Sequence, residues 1–150
     1  MNLKYLPKND LMYIYFEINT PNTQTRTSHE SIFKFVAKSN KNKIVGYEIE
    51  NITDNLNFVL TSLNLNSKQR LAICLYFLRE RQGKTQEQIA NVLEISLSKY
   101  KSLEKADHNI NFDTLEIIFE AFPNEPILDT VFHKVGWLVR TVSILKLDAG

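Results

Sequence analysis

The chain has 150 residues, of which 43% are hydrophobic, 23% charged and 11% aromatic, and its formal net charge is +1. This composition excludes an intrinsically disordered chain, and the charge excludes a globally basic protein whose overall field would attract nucleic acid. Cys74 is the single cysteine, so no disulfide can form within the chain. Its apolar surroundings favour a buried hydrophobic residue over a nucleophile.

Neither a signal peptide nor a membrane span is expected. Lys4 and Lys8 interrupt any apolar run at the start of the chain. The apolar run at 136–147 contains Arg140 and Lys146 and is too short to cross a bilayer. We therefore expect a cytoplasmic protein without membrane attachment.

Four stretches within residues 2–50 are rich in β-formers and alternate with period two, which predicts a small antiparallel sheet. They are L-K-Y-L at 3–6, D-L-M-Y-I-Y-F-E-I at 10–18, S-I-F-K-F-V-A at 31–37 and K-I-V-G-Y-E-I-E at 43–50. The second stretch has apolar residues on both faces, so we expect it to be central. Gly46 indicates a bulge or a close backbone approach. Turns are predicted at the polar segments 7–10, 20–29 and 39–43.

From about residue 54 the period of the apolar residues becomes helical. Asp54 is expected to cap a short helix, which the segment L-N-L-N-S at 63–67 interrupts. Ser67 is then expected to cap a long helix, and Gly83 suits the left-handed position that ends it.

Residues 85–105 predict two short helices that cross at a steep angle. Thr85 and Gln88 form a T-x-x-Q capping box, and Ser96 is expected to cap the second helix. The apolar positions support this geometry, because the small Ala90 lets the helices approach. The residues that would fill the corner and seal the second helix are Ile95, Tyr100 and Leu103.

Two further segments follow. Asn111 is expected to cap an amphipathic helix that Pro123 ends, and Pro126 lies near the first turn of another short helix. The β-branched segment 137–147 is compatible with either a strand or a helix. As an exposed segment it would form a dimer interface, and folded back it would join the N-terminal sheet.

The segment L-R-E-R-Q-G-K-T-Q-E-Q-I-A-N-V-L-E-I-S-L-S-K-Y-K-S-L-E-K-A-D-H-N-I-N-F-D-T-L-E resembles the lambda-repressor/Cro family of helix–turn–helix proteins, the xenobiotic-response-element (XRE) type, over about 67–123. The resemblance implies a recognition helix at about 97–105. It also implies a dimer on a two-fold operator with half-sites ~34 Å apart. The expected DNA-contact residues are Gln86 (to phosphate), Leu97, Ser98, Lys99, Lys101, Ser102 and Lys105.

Two residues depart from the family pattern. Glu94 replaces the usual turn glycine. A residue other than glycine in the left-handed conformation expected at this turn destabilises the fold by on the order of 1 kcal/mol. This value is small beside a typical stability of ~5–15 kcal/mol. Leu97 can pack on a thymine methyl group or against a protein. Eight basic and eight acidic residues fall within 67–122, so modest and salt-sensitive DNA binding is expected. A helical hairpin that contacts only protein remains the alternative.

The segments L-K-Y-L-P-K-N-D-L-M-Y-I-Y-F and S-I-F-K-F-V-A-K-S-N-K-N-K-I-V-G-Y-E-I-E-N-I resemble a small bacterial domain of unknown function over about 3–53. That domain often occurs beside toxin genes, so the resemblance implies an antitoxin. Physically, an open sheet edge can receive a partner's strand. The faces of the sheet can equally dimerise or cover the helix at 54–63.

Catalysis is not expected. His29, His108 and His133 are scattered, no cluster has metal-ligand spacing, and no phosphate-binding glycine loop occurs. We therefore expect no enzyme, no cofactor and no metal.

These patterns predict an α+β protein with four parts. They are a small antiparallel β-meander over 1–53, a helix and connector over 54–66, a four- to five-helix helix–turn–helix bundle over 67–136, and a segment of undetermined structure over 137–150. The predicted function is sequence-specific transcriptional repression, as the antitoxin and autoregulator of a toxin–antitoxin operon. The predicted partners are double-stranded DNA, a second copy of the chain and a small toxin.

Overall fold

The computed structural model describes residues 1–125, which form a five-stranded antiparallel sheet followed by five helices. The α+β class is therefore confirmed. The short helix predicted near Pro126 and the segment 137–150 lie outside the described residues. The strands are β1 (Asn2–Leu6), β2 (Leu11–Tyr15), β3 (Asn22–Arg26), β4 (Ile32–Ala37) and β5 (Asn40–Glu50). The helices are α1 (Ile52–Ser62), α2 (Ser67–Arg81), α3 (Gln86–Val92), α4 (Leu97–Glu104) and α5 (Phe112–Ala121).

The strand order is β1-β2-β5-β4-β3, so β2 has a neighbour on each side and β5 lies at the centre. This order departs from a simple meander, because the chain crosses from β2 to the far edge and returns through β4 to pair β5 with β2. The turn predicted over 20–29 is wrong at 22–26, where β3 forms. Its sequence N-T-Q-T-R carries no apolar alternation, and its backbone is held in strand conformation by pairing with β4.

The sheet has two different faces. The inner face is apolar and buried, with Met12, Ile14, Ile32 and Ile49 each at most 1% exposed. The alternate residues of the same strands form the outer face, and none of them belongs to the apolar cluster that packs the sheet against α1–α5. In β2, Leu11, Tyr13 and Tyr15 lie on the outer face, opposite to Met12 and Ile14, so both faces of this strand carry apolar side chains, as predicted.

Gly46 marks a close approach, as predicted. A Cβ atom at Gly46 would collide with the carbonyl oxygen of Ile14 and crowd the ring of Phe35. The register shifts beside it, because Phe35 pairs with Gly46 and Val36 with Ile44. Val45 is thus left over as the extra residue of a bulge.

Two predicted helix caps are wrong. Asn66, not Ser67, caps α2, and its side chain accepts from the backbone N–H of Gln69 at 2.9 Å. At the start of α1, Asp54 lies inside the first turn, and the N-cap position is Asn51, whose side chain makes no capping bond.

The side chain that caps α1 comes from the turn between β1 and β2. Asp10 accepts from the backbone N–H of Thr53 at 3.1 Å and from its hydroxyl at 2.8 Å. The carbonyl of Asp10 also accepts from the N–H of Ile52 at 3.0 Å. Because Asp10 lies 43 residues before Thr53 in the sequence, no local sequence pattern predicts this cap.

One buried cluster connects the sheet with the helices. It contains inner-face residues such as Met12, apolar residues of α1 and α2 such as Leu60 and Leu75, and Tyr100 of α4. Apolar burial of this kind is the dominant favourable term in folding. The burial of this cluster therefore holds the helices against the inner face of the sheet.

Helix α2 also covers the edge of β1. The backbone N–H of Tyr5 donates to the hydroxyl of Tyr76 at 3.0 Å, and the Tyr5 ring packs edge-on against Phe77 at 5.6 Å. A strand edge with exposed N–H groups invites unwanted pairing, and this contact protects it. The described residues contain no helix that is long and apolar enough to cross a membrane.

Replacement of Asp10 by Gly should lower the free energy of unfolding by about 1–2 kcal/mol, the usual value of a side-chain helix cap. Glycine relieves the positive φ of 47°, which partly offsets the loss, whereas the hydrogen bonds that Asp10 accepts from Thr53 and from the Tyr5 hydroxyl are all removed. A net loss therefore reports the missing hydrogen bonds. Urea unfolding measures this change. The control is Asp54→Ala, which should change stability by less than about 1 kcal/mol, since Asp54 acts only through the helix dipole. Equal losses in the two variants would contradict the assignment of the cap.

Candidate nucleic-acid interface

Helices α3 and α4 form a hairpin joined by residues 93–96. The predicted capping box is present at α3, where Thr85 accepts from the N–H of Gln88 at 3.2 Å and Gln88 accepts from the N–H of Thr85 at 2.9 Å. The Ser96 hydroxyl accepts from the N–H of Lys99 at 3.1 Å and caps α4. Each helix therefore begins at the residue that the sequence indicates.

The turn between the helices is a Schellman motif centred on Glu94. Its φ is 54°, its N–H bonds the carbonyl of Asn91 at 3.1 Å, and the N–H of Ile95 bonds the carbonyl of Ala90 at 3.0 Å. The left-handed conformation expected for Glu94 is thus confirmed. The same motif ends α2 at Gly83 and α4 at Ala106, where φ is 63° and 61°.

Helix α4 presents two opposite stripes. Tyr100, Leu103 and Glu104 are 0–6% exposed and face the bundle. The other stripe, called the α4 stripe below, has spacing i, i+3, i+4 and i+7 and consists of Ser98, Lys101, Ser102 and Lys105. Of these, Ser102 is half-buried and the other three are exposed.

The remaining predicted contact residues of α4 lie beside this stripe. Leu97 and Lys99 are both half-buried rather than fully outward. Within residues 1–125, no ion pair involves Lys99, Lys101 or Lys105. The hairpin therefore carries three lysine charges that are uncompensated at short range, although the bundle as a whole is neutral.

A buried network centred on Glu104 joins the hairpin to α2. The Glu104 carboxylate accepts from Arg79 Nε at 2.6 Å and from Arg79 Nη2 at 3.2 Å. It also accepts from the Tyr100 hydroxyl at 2.7 Å and from Gln86 Nε2 at 2.7 Å. The Arg79 Nη1 atom donates to the carbonyl of Lys84 at 3.1 Å. One carboxylate thus connects α2, α3 and α4.

The protonation states in this network follow from the same contacts. Burial alone would lower the pKa of Arg79, but the hydrogen bonds and charge of Glu104 outweigh it and raise the pKa. Burial raises the pKa of the Tyr100 phenol, and the Glu104 charge raises it further. At neutral pH Arg79 is therefore cationic, and Tyr100 keeps the proton that it donates.

Gln86 lies at the first position of α3 and is half-buried. Its amide group bonds Glu104, so the residue has a structural role in addition to the phosphate contact that the sequence predicts. The structure thus brings the predicted residues of α4 together along one helix and places Gln86 beside the network that supports that helix.

Arg79 and Glu104 were not among the residues that the sequence singled out. A signal was present, because Arg79 follows Leu75 by four residues and Glu104 follows Tyr100 by four residues. Each charge therefore falls on an apolar stripe, where it needs a buried partner of opposite sign. Among residues 1–125, no group of histidine, cysteine, aspartate and glutamate side chains is arranged to hold a metal ion.

Residues 75–127 match a family model described as helix-turn-helix. The matched segment contains the C-terminal part of α2, residues 75–81, together with α3, α4 and α5. The match shows that this segment is similar to helix-turn-helix domains, in agreement with the hairpin that α3 and α4 form. No curated protein and no solved structure matches the chain.

Replacement of Glu94 by Gly should raise the free energy of unfolding by about 0.5–1 kcal/mol, because glycine adopts a positive φ without the steric cost of a Cβ atom. Denaturant unfolding monitored by circular dichroism measures the gain. The control is Glu94→Ala, which removes the charge but keeps the Cβ atom. A similar gain in both variants would show that charge, not backbone conformation, is the cause.

Proposed function

We propose that the protein is a sequence-specific transcriptional repressor, which inserts α4 into the major groove of a two-fold operator as a dimer. The observation that carries this proposal is the α4 stripe, which is polar, basic and exposed on a hairpin held in place by the Glu104 network. The family match over residues 75–127 supports the same interpretation.

The residues of α4 have side chains suited to the major groove. Lys101 and Lys105 can donate to guanine O6 and N7 or to phosphate oxygens, and Ser98 can pair with base edges or phosphates. Leu97, at the first turn, can contact a thymine methyl group. Lys99, beside the stripe, suits a phosphate. With three lysines per hairpin, binding should depend strongly on salt concentration.

We further propose that the chain is an antitoxin that binds a small toxin and represses its own operon in the cytoplasm. The resemblance of residues 3–53 to a toxin-associated domain supports this role. The edge of β3 provides a place for a partner, because among residues 1–125 β3 pairs only with β4 and residues 23–26 are exposed. A strand of a partner can add to such an edge through backbone hydrogen bonds.

A hairpin that binds protein instead of DNA is the second candidate. It is favoured by the apolar residues on either side of the turn, since Val92 is 47% exposed and Leu97 is only half-buried. A protein partner that covers these two residues would require no basic stripe.

The double variant Lys101→Ala/Lys105→Ala should weaken binding to DNA from upstream of the protein's own gene. Each phosphate contact contributes about −0.9 to the slope of log K against log salt, so the slope should shrink by up to about 2. Fluorescence anisotropy over a series of salt concentrations measures both quantities. The control is Lys38→Ala/Lys41→Ala, which removes the same charge from the β4–β5 turn and the start of β5, remote in sequence from α4. Unchanged affinity and slope would contradict the assignment of the α4 stripe.

The product of the neighbouring gene tests the finer role in the same assay. An antitoxin should bind that product directly and show altered DNA affinity in its presence. If the product binds neither the protein nor the protein–DNA complex, the antitoxin role is wrong, while repression remains possible.

A further inference from the structure

The outer face of the sheet carries an ordered pattern of charged and aromatic residues. The cross-strand registers place one row in the order Lys4, Tyr13, Glu48, Phe33 and Arg26. A second row runs in the order Asn2, Tyr15, Gly46, Phe35 and Gln24. An acid thus stands on the central strand and a base at each rim, with aromatic rings between them.

Three of these rings form a cluster over Gly46. Ring centroids are separated by 5.8 Å for Tyr13–Tyr15, 5.9 Å for Tyr15–Phe35 and 6.4 Å for Tyr13–Phe35, and the planes are within 14° of parallel. Gly46 lies between Tyr15 and Phe35, and its missing side chain lets the rings lean together over β5. Burial raises the pKa of Tyr13 and Tyr15, and the nearby Glu48 charge raises it further.

We propose that a second copy of the chain packs on this face, with a two-fold axis running along β2 and Lys4 placed against the partner subunit's Glu48. This proposal rests on the dimeric DNA binding proposed above and names the interface that produces the dimer. Sheet-on-sheet packing of this kind keeps the strands of the two copies approximately aligned.

The symmetry of the pattern supports this register. β1 and β5 are the two neighbours of β2, so a two-fold axis along β2 lays β1 of one copy over β5 of the other. Lys4 and Glu48 both lie opposite Tyr13, in the same row, so the pair between Lys4 and the partner's Glu48 forms twice across the axis, as an isologous interface requires. Within residues 1–125 neither Lys4 nor Glu48 forms an ion pair.

Apolar contacts favour a two-fold axis along β2 over a two-fold axis along β4. A register centred on β2 places Tyr13 and Tyr15 against their own copies and adds Leu6 and Leu11, which pair with each other in the next row. All four are half-buried in the single chain, so some of their apolar area remains to be covered. A register centred on β4 adds no such leucine pair.

Charge and position also favour a second copy over a nucleic acid. Glu48 and Glu50 both lie on the central strand of the outer face and would repel a phosphate backbone. The helices pack against the inner face, so a dimer formed through the outer face leaves α4 uncovered for DNA.

Sedimentation velocity without DNA tests the interface through a charge swap. The wild-type chain should dimerise, and either Lys4→Glu or Glu48→Lys should weaken dimerisation by about 10-fold or more, because like charges then face each other. The double variant Lys4→Glu/Glu48→Lys should restore the dimer, which a misfolded variant could not do. The control is Arg26→Glu, a charge reversal at the opposite rim, which should leave the dimer unchanged.

Three results would overturn the proposal: a monomeric wild-type chain, a dimer that both single reversals leave intact, or rescue of Glu48→Lys by Arg26→Glu instead of Lys4→Glu. A monomer whose tyrosine fluorescence is quenched by single-stranded DNA would assign the face to nucleic acid and also overturn it. Since no operator DNA is present, failure here is distinguishable from failure of DNA binding.

Discussion

The bidentate ion pair between Arg79 and Glu104 is the contact on which the geometry of the hairpin depends. Both side chains are buried, and the glutamate also accepts from Tyr100 and Gln86, so its oxygens are well satisfied. Such a pair contributes little net stability compared with an apolar replacement. Removal of one partner, however, leaves an uncompensated charge and costs about 3–5 kcal/mol. The network therefore specifies one arrangement of α2, α3 and α4 more than it strengthens the fold.

This constraint extends from the hairpin to the sheet through α2. The Arg79 guanidinium lies 5.1 Å from the centre of the Tyr76 ring, and the Tyr76 hydroxyl accepts from the backbone of β1. The hairpin, α2 and the edge of the sheet are thus connected by direct contacts. If two copies meet through their outer faces, the relative position of their α4 helices follows from these same contacts. The sheet would then set the half-site spacing even though it contacts no base.

Periodicity and capping residues predict much of this structure, because both act over a few residues. The capping residues of α3, α4 and α5, the left-handed Glu94 and the close approach at Gly46 follow from local chemistry. The polar strand β3 was missed because its pairing with β4 decides its conformation. Long-range partners explain the other misses, since Asp10 caps a helix 43 residues away and Arg79 meets Glu104 across 25 residues. The α4 stripe was predictable from helical spacing, whereas the bond between Gln86 and Glu104 was not.

The most direct measurement is a ¹H–¹⁵N nuclear magnetic resonance titration of the protein with DNA from upstream of its own gene. If α4 enters the major groove, amide shifts should be largest for Ser98, Lys101 and Ser102 and should shrink as salt concentration rises. Shifts on the sheet should stay small. Shifts confined to the sheet, or none on α4 at saturating DNA, would contradict the account.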